Sequence, residues 1–262
     1  MRLSFCLVFA ALALAFVGGC KSMTPGQLER VQPYSNHPLV GNVYLLRGFI
    51  GIWSYGIDHL GQRVDEAGIR SSVYQEDQWT QLADAIIKRY ENATDHEPLV
   101  LIGHSYGADD TLRIAKRLEE HHMSVDLIIT LDPVTPPKVP ANVRLCYNIY
   151  QPSLLDKLPF FRGVPLETEM ADGSNLQNVN IRKDRRDLLN DDTDHFNIEK
   201  NQKIHAEVVK KLKEICLPRP LWLAQRQSGR FHPDLIPAYP PVRSPDETSH
   251  AGAAAPTVEH MR

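Results

Sequence analysis

The residues best suited to chemistry are Gly103, His104, Ser105, Tyr106 and Gly107, a G-x-S-x-G run that follows the apolar stretch 99–102 and leads directly into a helical pattern. In that setting a strand delivers the serine to a sheet edge. Glycines at 103 and 107 permit a turn too tight for side chains, and the helix aims its first N–H groups at the reacting centre. Ser105 is therefore the expected nucleophile. Three fixed residues recur by chance, so the weight of the motif lies in its strand and helix context. A serine hydroxyl needs a base to take its proton, and a neutral imidazole suits that task near pH 7. His195 is the expected base: it lies in the loop after the last predicted strand, next to the acidic run Asp191, Asp192 and Asp194. The bland alternative there is a solvated acidic loop carrying a surface histidine. The other histidines fit less well, because His104 is locked in the turn, His121 and His122 close a helix, and His205 falls inside one.

The base needs an orienting acid, and Asp132 stands at the tip of the strand that follows the helix after Ser105. Pro133 disfavours helical geometry at Asp132 and is expected to keep it extended. Asp156 and Asp172 are the rivals, and an aspartate capping a turn before proline is the bland reading of Asp132. Asp192 and Asp194 are too close to His195 along the chain to be favoured.

These residues need a scaffold, and the apolar pattern supplies one. Strands are expected over 42–47, 69–75, 99–102, 126–131, 143–150 and 178–181. Between them, Leu60, Val64 and Ala67 share a helical face closed by Gly68, and Trp79, Leu82, Ala83, Ile86, Ile87 and Tyr90 mark a longer amphipathic helix. Ala108, Leu112, Ala115 and Leu118 form the inner face of the helix after Ser105. Asp109 and Asp110 lie in its first turn, the order its dipole prefers. Ile198, Ile204, Val208, Leu212 and Ile215 mark a last helix. Strands separated by helices, with near-continuous apolar runs, predict an α/β fold: a mainly parallel sheet of about six strands with helices on both faces. Trp53, Phe196 and other aromatics would cluster near Ser105 as an apolar pocket, and the apolar segment 154–161, with Phe160 and Phe161, could close over it.

The chain of 262 residues carries a formal net charge of −3 and no basic block, which argues against nucleic acid as a partner. Neither paired C-x-x-C nor H-E-x-x-H occurs, so no metal site is expected, and nothing calls for a cofactor. Met1 and Arg2 precede an apolar run over 3–17 that is short for a membrane span and fits an export signal. The organisation expected is a signal over 1–19, a tether over 20–40, one domain over 41–217 and a Pro-rich, unstructured tail over 218–262. After export, Cys146 and Cys216 could form a disulfide or remain two buried thiols.

Strand, Gly103 to Gly107, helix, a strand ending in Asp132 and a late Asp194-His195 together resemble the α/β-hydrolase superfamily, in a minimal form without a cap domain. The order serine, acid, histidine is the one that superfamily uses. The resemblance implies a serine hydrolase acting on ester or thioester bonds of small-molecule or lipid substrates. It also implies an oxyanion hole from the amides of Tyr106 and Phe49, with Arg47-Gly48 standing where many members have His-Gly. Separately, Val17-Gly18-Gly19-Cys20 resembles the lipobox of bacterial lipoproteins. That implies a lipidated Cys20, a membrane as partner and a place in the cell envelope, with Lys21 pointing to the outer membrane. The competing reading is a non-catalytic envelope lipoprotein that uses the scaffold for binding.

Overall fold

The computed structural model describes residues 26–48, 55–93, 96–152 and 163–227. Expectations for Cys20, Phe49, Trp53, Asp156, Phe160, Phe161 and the tail beyond Gln227 lie outside these residues.

Strands β1 (Leu39–Leu46), β2 (Ile69–Tyr74), β3 (Leu99–His104), β4 (Leu127–Leu131), β5 (Cys146–Tyr150) and β6 (Leu176–Asn180) form one parallel sheet in the order β2-β1-β3-β4-β5-β6. Alternate residues of each strand point to opposite faces. On one face Val43, Leu45, Val100, Ile102, Ile129 and Ile149 pack under helices α1 (Tyr55–Glu66) and α4 (Gln202–Ile215). On the other, Tyr44, Leu46, Leu99, Leu101 and Ile128 pack under α2 (Trp79–Tyr90) and α3 (Tyr106–Glu119). Both parities of the strands are thus buried, which is why the sequence shows apolar runs rather than alternation. The expected fold class is the observed one.

The two cysteines are free and buried. Cys146 packs in the α2/α3 layer and Cys216 in the α1/α4 layer, so the sheet itself separates them and no disulfide forms. Residues 26–38 are laid against the domain rather than leading away from it: Val31 is buried, Ser35 donates its amide to Glu97, and Tyr90 bonds the Gln32 carbonyl. The tail expected to be unstructured from residue 218 is helical at its start. Helix α5 (Arg219–Gln227) buries Trp222, and Arg219 pairs at 2.7 Å with the buried Glu97. Pro220 sits in its first turn, where the helix needs no N–H donor.

Candidate active site

Ser105 follows β3 directly, between the carboxyl ends of the flanking strands: its amide donates to Leu131 O at the end of β4, and its turn abuts Leu46 and Arg47 at the end of β1. Its φ is +56°, a strained value for a residue with a side chain, and α3 begins at the next residue. The turn is set by contact between backbones. A Cβ on Gly103 would lie 2.2 Å from the Gly107 carbonyl oxygen, and one on Gly107 would lie 2.2 Å from that of Arg47. The corner Arg47-Gly48 therefore abuts the serine turn. Arg47 is wholly buried and makes two bonds to Asp58 in the first turn of α1, Nε to Oδ2 at 2.9 Å and Nη2 to Oδ1 at 2.6 Å. This pair joins the end of β1 to α1, a contact that the sequence does not announce. Tyr106, half-buried, presents the amide immediately after the serine.

His195 Nε2 lies 3.1 Å from Ser105 Oγ, and His195 Nδ1 lies 3.4 Å from Asp132 Oδ2. The second distance is long for a hydrogen bond. Contacts of this kind shorten once substrate is bound and charge grows on the ring. Both side chains are buried. Asp132 does not take the extended geometry that a following proline favours: its φ is +48°. Aspartate tolerates that region better than most residues because its short polar side chain bonds locally. The turn is set from elsewhere. The Asp132 amide donates to Ile149 O, Gln151 N donates to Asp132 Oδ1 at 2.8 Å, and Gln151 Nε2 lies 3.4 Å from Oδ2. Gly163 presses so closely that a Cβ there would stand 1.9 Å from Asp132 Oδ1. Burial raises the Asp132 carboxyl above the usual range, and the facing His195 and the Gln151 donors hold it down.

Asp109 couples the serine helix to this turn. Its carboxylate is buried and accepts from Val134 N at 3.0 Å, Thr135 N at 2.8 Å and Thr135 Oγ1 at 3.0 Å. Burial pushes its pKa up to about 6 against the opposing effect of those donors. One signal in the sequence could have marked it: Asp109 precedes Leu112 by three residues and so shares the inner face of α3. His104 Nε2 donates to the His195 carbonyl at 2.9 Å. Burial, then the neighbouring His195, lower the His104 pKa to about 3, so this ring is a neutral strut for the base loop. Asp194 and Asn197 shape that loop by accepting from Phe196 N and Asp194 N.

Ser105, His195 and Asp132 are thus brought together. Phe196 stands edge-on to the His195 ring at 5.6 Å and is 45% exposed. Asp172 is not in the group. It is exposed, accepts from Ser174 N, and precedes β6 at the opposite end of the sheet. Gln151 and Gly163, which hold the acid, have no local signature in the sequence.

A family model described as Thioesterase domain matches residues 64–238. No curated protein gives a significant match. Among solved structures, Est1E from Butyrivibrio proteoclasticus is similar at 16% identity and a TM-score of 0.29, over 36% of this chain and 40% of its own length. A protein assigned to the α/β-hydrolase superfamily from Xanthomonas campestris pv. campestris is similar at 13% identity and 0.38, over 66% of this chain and 99% of that one. A cutinase-like protein from a Cryptococcus species is similar at 11% identity and 0.41, over 67% and 95%.

Proposed function

We propose that this chain, which belongs to the thioesterase domain family, hydrolyses ester or thioester bonds through an acyl-enzyme formed on Ser105. His195 Nε2 takes the hydroxyl proton as Oγ attacks the acyl carbon, and the carbonyl electrons move onto oxygen. The amides of Tyr106 and Phe49 receive that oxyanion. As the tetrahedral species collapses, the bond to the thiol or alcohol breaks and His195 returns the proton to the leaving group. Water then repeats the sequence on the acyl-serine and releases the carboxylic acid. Asp132 holds the imidazole and stabilises its charged form. Phe196, edge-on to the base, borders the acyl group, and the sequence offers Trp53 as a second apolar residue for that pocket.

The observation that carries this reading is the 3.1 Å approach of His195 Nε2 to a serine held at φ +56° in a glycine-walled turn. Family membership weighs against the non-catalytic alternative. The test is a panel of nitrophenyl esters and acyl thioesters of increasing chain length, run on the wild type and Ser105→Ala. At least one substrate should turn over about 10³-fold faster with wild type. Equal rates for both proteins across the panel would overturn the proposal.

The export signal over 1–19 and lipidation of Cys20 complete the proposed reading, supported by the Val17 to Cys20 sequence alone. They place the enzyme on the envelope, where lipid esters are at hand. Incorporation of labelled palmitate should be lost in Cys20→Ala, and unchanged incorporation would contradict the anchor.

A further inference from the structure

We infer that Arg182 is a positioning residue that keeps the acid and the base in register, an inference that rests on the triad reading above. Arg182 lies just beyond β6, and its Nη2 makes two bonds: to Gln151 Oε1 at 2.7 Å and to Thr193 O at 2.9 Å. The first bond fixes the residue that clasps Asp132, since Gln151 donates its amide to Oδ1 and turns its side-chain nitrogen toward Oδ2. The second fixes the backbone two residues before His195. One nitrogen therefore spans both arms that meet at the 3.4 Å contact between Asp132 Oδ2 and His195 Nδ1.

Three further observations separate this from an ordinary surface arginine. Asp184 and Asp187 are near in sequence, yet among the described residues Arg182 forms no ion pair, and its head group is given to two neutral oxygens. Asp187 is taken instead by Arg185. The backbone of Arg182 is held independently, its amide donating to Asn180 Oδ1 and its carbonyl accepting from Arg186 Nε, so the turn does not need the guanidinium. Gln151 and Thr193 are both buried, so the two acceptors have little access to replacement water.

Loss of the guanidinium frees the Gln151 side chain and loosens the base loop, and the contact between Asp132 and His195 widens. Binding of substrate is untouched; the transition state, in which the ring is charged, suffers. The test is steady-state kinetics of Arg182→Met and Arg182→Lys, alone and on an Asp132→Asn background, normalised to the folded fraction. Arg182→Met should lower kcat by about 10- to 100-fold with KM changed by less than about threefold. Arg182→Lys, whose ammonium can donate to both oxygens, should recover most of it. On the Asp132→Asn background the further loss should shrink below about threefold, because the path to the base is already cut. Full kcat in Arg182→Met, or an equal fall on both backgrounds, would overturn the inference. Full activity in Asp132→Asn would instead overturn the triad reading on which it stands, and the two failures are distinct.

Discussion

The serine turn and the rim that carries the acid and base solve the same problem, holding a reactive side chain in place, by opposite means. At Ser105 the holding is done by backbone against backbone. Gly103 meets Gly107, Gly107 meets Arg47, and no side chain intervenes. At Asp132 and His195 it is done by side chains from distant segments: Gln151 and Asp109 on the acid turn, Arg182 and His104 on the base loop, with Gly163 as a wall. Packed backbones cannot yield by a fraction of an ångström, so changes in the serine turn are all-or-none. Hydrogen-bonded arms can be removed singly, so changes at the rim are graded.

Substitutions sharpen that contrast. The largest effect is expected for Gly107→Ala, whose methyl would meet the carbonyl oxygens of Arg47 and Leu46 at 2.2 and 2.6 Å. The domain should lose at least about 3 kcal/mol, read as a collapse in Tm or in soluble yield. A normally folded Gly107→Ala would show that the backbones of the serine turn can move apart. Gly163→Ala should be milder for the fold and harsh for turnover. Its methyl displaces the end of the Asp132 side chain, and kcat should fall about 10²-fold while Tm drops only a few degrees.

Asp109→Ala leaves Val134 N and both donors of Thr135 without their acceptor. It should cost about 1–3 kcal/mol by chemical denaturation, with a smaller loss of kcat than Gly163→Ala. The smallest effect is one of pH. His104 has its pKa lowered from 6.5 to about 3 by burial, so its contribution to stability is complete above about pH 6.5 and is lost as the pH falls toward 3. Asp109 and Glu199, raised by burial to about 6 and about 7, act in the opposite sense and lose stability as the pH rises through those values. His104→Gln keeps a donor for the His195 carbonyl and removes only the titration. Its melting temperature should therefore fall less steeply than that of wild type between pH 6.5 and 4. Parallel pH curves would show that His104 does not titrate in this way.

The same contrast explains what the sequence disclosed. The order of strands and helices was legible because burial on both faces writes itself as apolar runs, and the serine turn was legible because its constraints are local: two glycines, a strand before and a helix after. The left-handed φ of Asp132 was not legible. The preference imposed by Pro133 is a local rule, and it is overridden by Gln151, which follows β5, and by Gly163 beyond it. The buried pair of Arg47 and Asp58 was hidden for a similar reason, since neither residue alone signals that it is desolvated. Helix α5 was masked by prolines that composition reads as breakers, although Pro220 occupies a place in the first turn that suits it.

Activation of Ser105 by His195 can be read from the rate at which a fluorophosphonate labels the serine, with the adduct located by peptide mass mapping. Wild type should carry a single adduct on Ser105, with labelling slowed at least about 10²-fold in His195→Ala and none in Ser105→Ala. An adduct on another residue, or labelling of His195→Ala at the wild-type rate, would contradict that activation.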